Sequence, residues 1–366
     1  MTATTHAGAA LIALLLAAPA ALAAWPDTAT TPAETMPRAA AGLLLDGTRL
    51  DDGRLLVVGE RGHILTSSDQ GATWDQAQVP TRATLTAVAA HGERIVAGGH
   101  DGVLLHSGDG GASWRRVRES VWDPMSDDPT SGAPVLDILY LDADRVLAIG
   151  AYSLLLASDD GGATWRPKTL AAGPGPGPGA DAGDEPAADA DEGVDDGGDP
   201  LLFDESELML DAEEDPHLNA IARLDGGRLF IVAERGAAFV SDDDGETWRR
   251  TALPYDGSMF GLLSLGQGRV LAYGLRGNAL LSRDNGETWT EVGTGTDLSL
   301  FGGVRRGDGI VLVGANGLLL EGDAGAGGFR ATTLAEAGVL AAVVDLGADG
   351  VLLLGEYGQV RHGGQP

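Results

Sequence analysis

Three arginines in this chain, Arg61, Arg235 and Arg276, fall at the same position of short, mostly glycine-bounded turns. Glu60, Glu234, Glu356, Tyr152 and Tyr357 lie in the same set of turns. A guanidinium grips a carboxylate through two parallel hydrogen bonds. A tyrosine beside a carboxylate can act as a nucleophile. Brought together, these residues could clamp an acidic substrate. Left apart, they form either a mixed polar surface for a macromolecular partner or ordinary turn ends in water.

Other chemistries fail on residue type. The chain has no cysteine, which removes disulfides, thiol nucleophiles and cysteine-based zinc sites. Lys168 is the only lysine, so Schiff-base and P-loop mechanisms have almost nothing to use. There is no G-x-S-x-G, H-E-x-x-H or Walker pattern. The seven histidines are scattered, and His100 and His106 lack clear ligand spacing. The acidic run from Asp189 to Asp199 lacks EF-hand spacing. No catalytic residue, cofactor or metal is therefore assigned. The net charge of −30, from 54 acidic and 24 basic residues, argues against nucleic acid and against anionic lipid as partners. The 56 glycines are too many for a helical bundle and have no three-residue period, which leaves a turn-rich β protein.

An internal repeat supplies the elements that position these turns. Five octapeptides fit S-x-D-x-G-x-[ST]-W, the pattern of the Asp-box or bacterial neuraminidase repeat. Their aspartate and tryptophan are Asp69 and Trp74, Asp109 and Trp114, Asp160 and Trp165, Asp243 and Trp248, and Asp284 and Trp289. These residues are expected to be structural. The aspartate can accept hydrogen bonds from the turn it opens, the glycine supplies positive φ, and the tryptophan plugs the hairpin. A sixth copy, Glu321 to Gly325, is eroded and is followed by Phe329 rather than tryptophan.

Upstream of each octapeptide lies an apolar run, a four-residue turn and a second apolar run. There are seven such turns, ending at Gly62, Gly102, Ser153, Gly236, Gly277, Gly317 and Gly358. Their spacings are 40, 51, 83, 41, 40 and 41 residues. A period near 40 with turn signals about every ten residues is the arithmetic of four short strands per propeller blade. The fold expected is an all-β, seven-bladed β-propeller. Blade one is expected over Ala41–Leu50, Arg54–Gly59, His63–Ser67 and Thr73–Val79. Later blades are expected to begin at Leu85, Val135, Leu218, Met259, Leu300 and Leu340. Blade seven has no outer strand of its own in the sequence. Residues Trp25 to Arg38 are expected to supply it and close the ring.

Residues 1–23 read as a secretory signal, a short apolar stretch ending in Ala-Leu-Ala, and 24–366 as the propeller. The spacings of 51 and 83 mark two insertions, Glu119 to Pro134 and Gly173 to Pro216. The second holds 16 acidic residues and no Lys or Arg, and is expected to be a disordered loop. Both insertions connect the last strand of one blade to the first of the next. They should share a face with the seven turns, whereas the octapeptides should lie on the other face.

The combined pattern G-x-x-G, two apolar residues, then S-x-D-x-G-x-[ST]-W resembles the photosystem II stability/assembly factor family. Gly59 to Trp74 carries it best, and the likeness runs from about Ala41 to His362 outside the acidic insertion. The resemblance implies a non-catalytic, exported propeller that scaffolds or assembles a membrane-protein complex. Its partners would be subunits of a photosystem-like complex or of a resistance-nodulation-division-type exporter. It would act as a monomer in the periplasm, or in the thylakoid lumen of an oxygenic phototroph, with no nucleic acid and no membrane insertion after signal removal. Members in oxygenic phototrophs use a basic surface patch, whereas this chain is strongly acidic and carries an insertion. The alternative is an exported sialidase-like glycoside hydrolase or carbohydrate-binding propeller. Sialidases, however, have six blades and carry an F/Y-R-I-P segment that this chain lacks.

Overall fold

The computed structural model describes residues 27–170 and 215–364, apart from 324 and 326. The secretory-signal reading and all but the last two residues of the acidic insertion lie outside them. The described chain is a seven-bladed β-propeller. Six blades have four antiparallel strands and the seventh has three. Blade one runs Leu44–Arg49, Leu55–Gly59, Ile64–Ser67 and Asp75–Gln76. The innermost strands of blades two to seven are Leu85–His91, Val135–Tyr140, Leu218–Arg223, Met259–Gly266, Leu300–Arg306 and Leu340–Asp345.

The second strand of each blade explains the ring. In blade one it is Leu-Leu-Val-Val-Gly, buried at every position. Alternate side chains of a strand point to opposite faces. Leu56 and Val58 accordingly pack with Leu85, Ile95 and Leu105 of blade two. Leu55 and Val57 pack with Ala342, Val344 and Leu354 of blade seven. Blade three repeats this, with Leu147 and Ile149 facing blade four and Val146 and Ala148 facing blade two. Each fully buried Leu, Val or Ile contributes about 1.5–3 kcal/mol. The last interface, between blades seven and one, is an apolar sandwich like the others, and it closes the ring.

The N-terminal segment does not complete blade seven. That blade ends with the strand Gly358–His362 as its third among the described residues. The segment instead runs along the outer edge of blade one. The Ala33 amide donates to the Val79 carbonyl at 2.9 Å, and the Arg82 amide donates to the Thr28 carbonyl at 2.7 Å. Ala29 is fully buried in the apolar layer between blades one and two, near Val79 and Ala83. Arg116 fixes it there by donating to the Ala29 and Pro80 carbonyls at 2.8 and 2.6 Å. The physical reason is that a small apolar side chain has a fitted slot here. Pro32 and Pro37, lacking N–H groups, could not serve a regular strand ladder.

This docking is testable. Ala29→Glu should lower the unfolding free energy by about 1–3 kcal/mol, because it places a charge in an apolar slot. Denaturant titration of the full chain checks it, and an unchanged midpoint would exclude the docking.

Candidate interaction face and central channel

Both insertions connect an outer strand to the next inner strand, between Arg118 and Val135 and between Pro167 and Leu218. In an up-and-down blade these connections lie on the same face as the turns between second and third strands. The octapeptides occupy the opposite face, and there the side chains are spent on the fold. In the first, the Ser67 hydroxyl donates to Asp69 Oδ1 at 2.8 Å and accepts from the Gly71 amide at 2.8 Å. Asp69 also accepts from the Thr73 amide and hydroxyl, at 2.8 and 2.6 Å. The Trp74 indole N–H donates to the Gly71 carbonyl at 3.2 Å. The same set recurs around Asp109 and Trp114, Asp160 and Trp165, Asp243 and Trp248, and Asp284 and Trp289. The Thr/Ser hydroxyl and amide bonds hold Asp69, Asp109, Asp243 and Asp284 down at about 2. Burial opposes this at Asp160, but the bonds from Thr164 and Ser158 still leave it lowered. Arginines of neighbouring blades pin this face, as when Arg54 donates to the Gly110 carbonyl and Arg228 pairs with Glu287.

The turn face is built differently. In every blade the amide of the turn's second residue donates to the carbonyl just before that blade's inner strand, as Glu60 does to Leu43 at 3.0 Å. The three turn glutamates add a side-chain bond to the same strand entry. Glu60 accepts from the Leu43 amide, Glu234 from His217 and Glu356 from Val339, at 3.2, 3.3 and 3.2 Å. They are braces of the turns. Arg61, Arg235 and Arg276 are exposed and belong to blades one, four and five, so Arg61 stands across the ring axis from the other two. They are not gathered into a clamp. Tyr357 is exposed and bonded to Glu356, which raises its pKa and keeps the proton on its hydroxyl. Tyr152 meets the His217 ring edge-on at 4.8 Å, and His217 lies 3.5 Å from Glu234, joining blades three and four.

Backbone conformation distinguishes these turns. Arg61, Arg235, Arg276 and Tyr152 sit at φ 53–55°, in the left-handed region. Asp101 and Asn316 occupy the equivalent place in blades two and six, and such residues tolerate it. An arginine or tyrosine there costs about 1–2 kcal/mol relative to glycine.

Sequence reasoning missed two groups of residues. One is the first insertion, whose Val121, Trp122 and Met125 are exposed apolar side chains, Trp122 at 67% and Met125 at 86%. The loop is held at its base, where Arg118 donates to the Gly102 carbonyl and the Ser120 amide to the Asp101 carbonyl. The visible signal was a tryptophan lying outside every octapeptide among the described residues.

The other is the ring axis. Each inner strand is bulged just after its first residue, next to the turn face. The bulges line a chamber of about 230 Å³. Asp46 accepts from the Gly47 amide and from the Val88 amide of the next blade, both at 2.8 Å. Asp137 accepts from Ile138 and from Ile221 of the next blade, at 2.8 and 2.9 Å. Thr86 donates to the Val135 carbonyl, and Asn219 to the Met259 carbonyl at 2.8 Å, so blades one to five are laced together. Phe260 and Phe301 face each other at 5.7 Å on the other side. Burial pushes Asp46 up to about 7, with help from Asp137, and Asp137 up to about 6. An aspartate inside an apolar strand was the available signal.

The sequence profile described as Photosynthesis system II assembly factor YCF48 matches residues 35–131, covering blades one and two. The chain is therefore similar to this family over its first two blades. A solved structure titled YCF48 bound to D1 peptide aligns over 92% of this chain and 97% of its own, with a TM-score of 0.61 and 16% identity. YCF48 from Cyanidioschyzon merolae aligns over 89% and 96%, with a TM-score of 0.61 and 14% identity. The WD40 propeller of Doa1 aligns over 91% and 95%, with a TM-score of 0.58 and 11% identity. At such identities the likeness is one of fold. No curated protein matches the chain.

The propeller should respond to pH on two limbs. The octapeptide aspartates lie below their ordinary value of 3.8, so the stability they contribute is present above about pH 4 and lost as pH falls through about 2. Asp46 and Asp137 lie above 3.8, so stability is lost as pH rises from about 4 through about 7. Melting temperature against pH should show both, with Asp109→Asn flattening only the acid limb and the Asp46→Asn/Asp137→Asn double variant only the other.

Proposed function

We propose that this protein is an exported, non-catalytic scaffold that helps assemble a membrane-protein complex, binding an exposed segment of one subunit on its turn face. The observation that carries this reading is the first insertion. It holds Trp122 and Met125 out to solvent on a loop braced by backbone and arginine hydrogen bonds. Exposed aromatic and methionine side chains with a nearby arginine are what binding hot spots are made of. The neighbouring turns add Tyr152, and Arg61, Arg235 and Arg276 are held at backbone angles that glycine would adopt at lower cost. The solved relative with a bound D1 peptide supports a peptide segment of a membrane subunit as the ligand class. The octapeptide residues are proposed to serve the fold alone.

The subunit would belong to a photosystem-like complex or to an exporter of the resistance-nodulation-division type. The protein would meet it as a monomer in the periplasm, or in a thylakoid lumen. The chain's net charge of −30 fits a subunit loop that combines apolar with basic residues, since opposite potentials steer and orient docking.

Affinity capture from solubilised envelope should recover such a subunit with the full chain. Trp122→Ser/Met125→Ser should weaken capture at least tenfold, the loss of about one hot spot. The triple variant Arg61→Gly/Arg235→Gly/Arg276→Gly should weaken it too, while its unfolding free energy rises by about 1 kcal/mol per site. The same partners captured equally by all variants would overturn the assignment of this face. Cell fractionation with N-terminal sequencing should find the mature chain outside the cytoplasm, starting near Ala24.

A further inference from the structure

The chamber on the ring axis has a composition that the fold alone does not require. Asp46 and Asp137 bring two carboxylates to it from blades one and three, and no lysine or arginine lines it. Each carboxylate oxygen takes one backbone amide, which leaves each a further lone pair for another donor.

A second, independent feature faces the same space. Tyr273, from the second strand of blade five, is 4% exposed, yet it lines the chamber. Its hydroxyl is not among the enclosed side-chain atoms that lack a partner, so it opens into the chamber. A phenolic hydroxyl facing this space can both donate and accept a hydrogen bond. Its position has been made for it. A Cβ at Gly261 would lie 2.2 Å from the hydroxyl, and one at Gly303 would lie 2.9 Å from it.

The ligand chemistry follows from what surrounds these groups. Acceptors without a cationic counterpart call for a cation. No group of three or more metal-binding side chains stands together among the described residues, which disfavours a divalent metal. The opposite wall is Phe260 and Phe301, whose ring faces attract organic cations and whose apolar surface suits methylene groups.

We propose that the axial chamber binds a small linear alkyl diammonium ion. Asp46 and Asp137 take the ammonium ends, Phe260 and Phe301 pack the methylenes, and the Tyr273 hydroxyl accepts a further N–H. The site does not depend on the partner-binding reading of the turn face.

The test is calorimetric titration of the full chain with butane-1,4-diamine, with butane-1,4-diol as the neutral control and calcium as the metal control. The diamine should bind saturably and the diol should not. Asp46→Asn and Asp137→Asn should each weaken binding at least about tenfold, the value of one charge-assisted hydrogen bond. Tyr273→Phe keeps the ring packing and should weaken it about threefold to tenfold. If an aspartate variant fails to fold by circular dichroism, Tyr273→Phe and Phe260→Leu carry the test. Three results would overturn the proposal. They are no saturable binding up to about 10 mM, binding unchanged in all folded variants, or calcium competing at the same carboxylates.

Discussion

Every blade of this protein has a second strand that is apolar on both faces, and no single neighbour can cover both. Leu55 and Val57 need blade seven, while Leu56 and Val58 need blade two. A row of such blades always leaves one apolar face in water at each end, and only a closed ring removes both ends. The seven interfaces therefore act as one cooperative layer. The closing one between blades seven and one needs no shared strand, because it is already a full apolar sandwich. This frees the N-terminal segment to dock elsewhere, where Ala29 fills a slot between blades one and two.

The closed ring leaves two faces with different duties. On the octapeptide face the aspartates, serines, threonines and indoles satisfy one another within eight residues, and arginines of adjacent blades tie the copies together. The turn face uses its glutamates as braces, and leaves arginines, tyrosines and the Trp122 loop outward. Neither arrangement gathers an arginine clamp. The chain thus shares a propeller fold with YCF48.

The channel shows how a repeat can be broken to make a site. All seven inner strands carry the same bulge, yet polar residues stitch only blades one to five. In blades five to seven, glycine, alanine and phenylalanine replace them at the equivalent places, and Tyr273 enters the space that Gly261 and Gly303 leave. An asymmetric chamber results from symmetric backbone.

The seven blades, the inner-strand starts at Leu85, Val135, Leu218, Met259, Leu300 and Leu340, and the face shared by the turns and the first insertion were all legible in the sequence. Their causes are local or periodic. An octapeptide's bonds span eight residues, and a strand's pattern repeats every two. What the sequence left open depended on groups far apart along the chain. Asp46, Asp137 and Tyr273 meet only because blades one, three and five surround one axis. Whether Arg61, Arg235 and Arg276 converged was equally undecided, since a turn's sequence does not say whether it leans toward the ring axis. The resting place of Ala29 was decided by a slot between Val79 and Ala83 that exists only after two blades have packed. Local hydrogen bonding and periodicity set the parts and their number, and burial across the closed ring decided which side chains came to face one another.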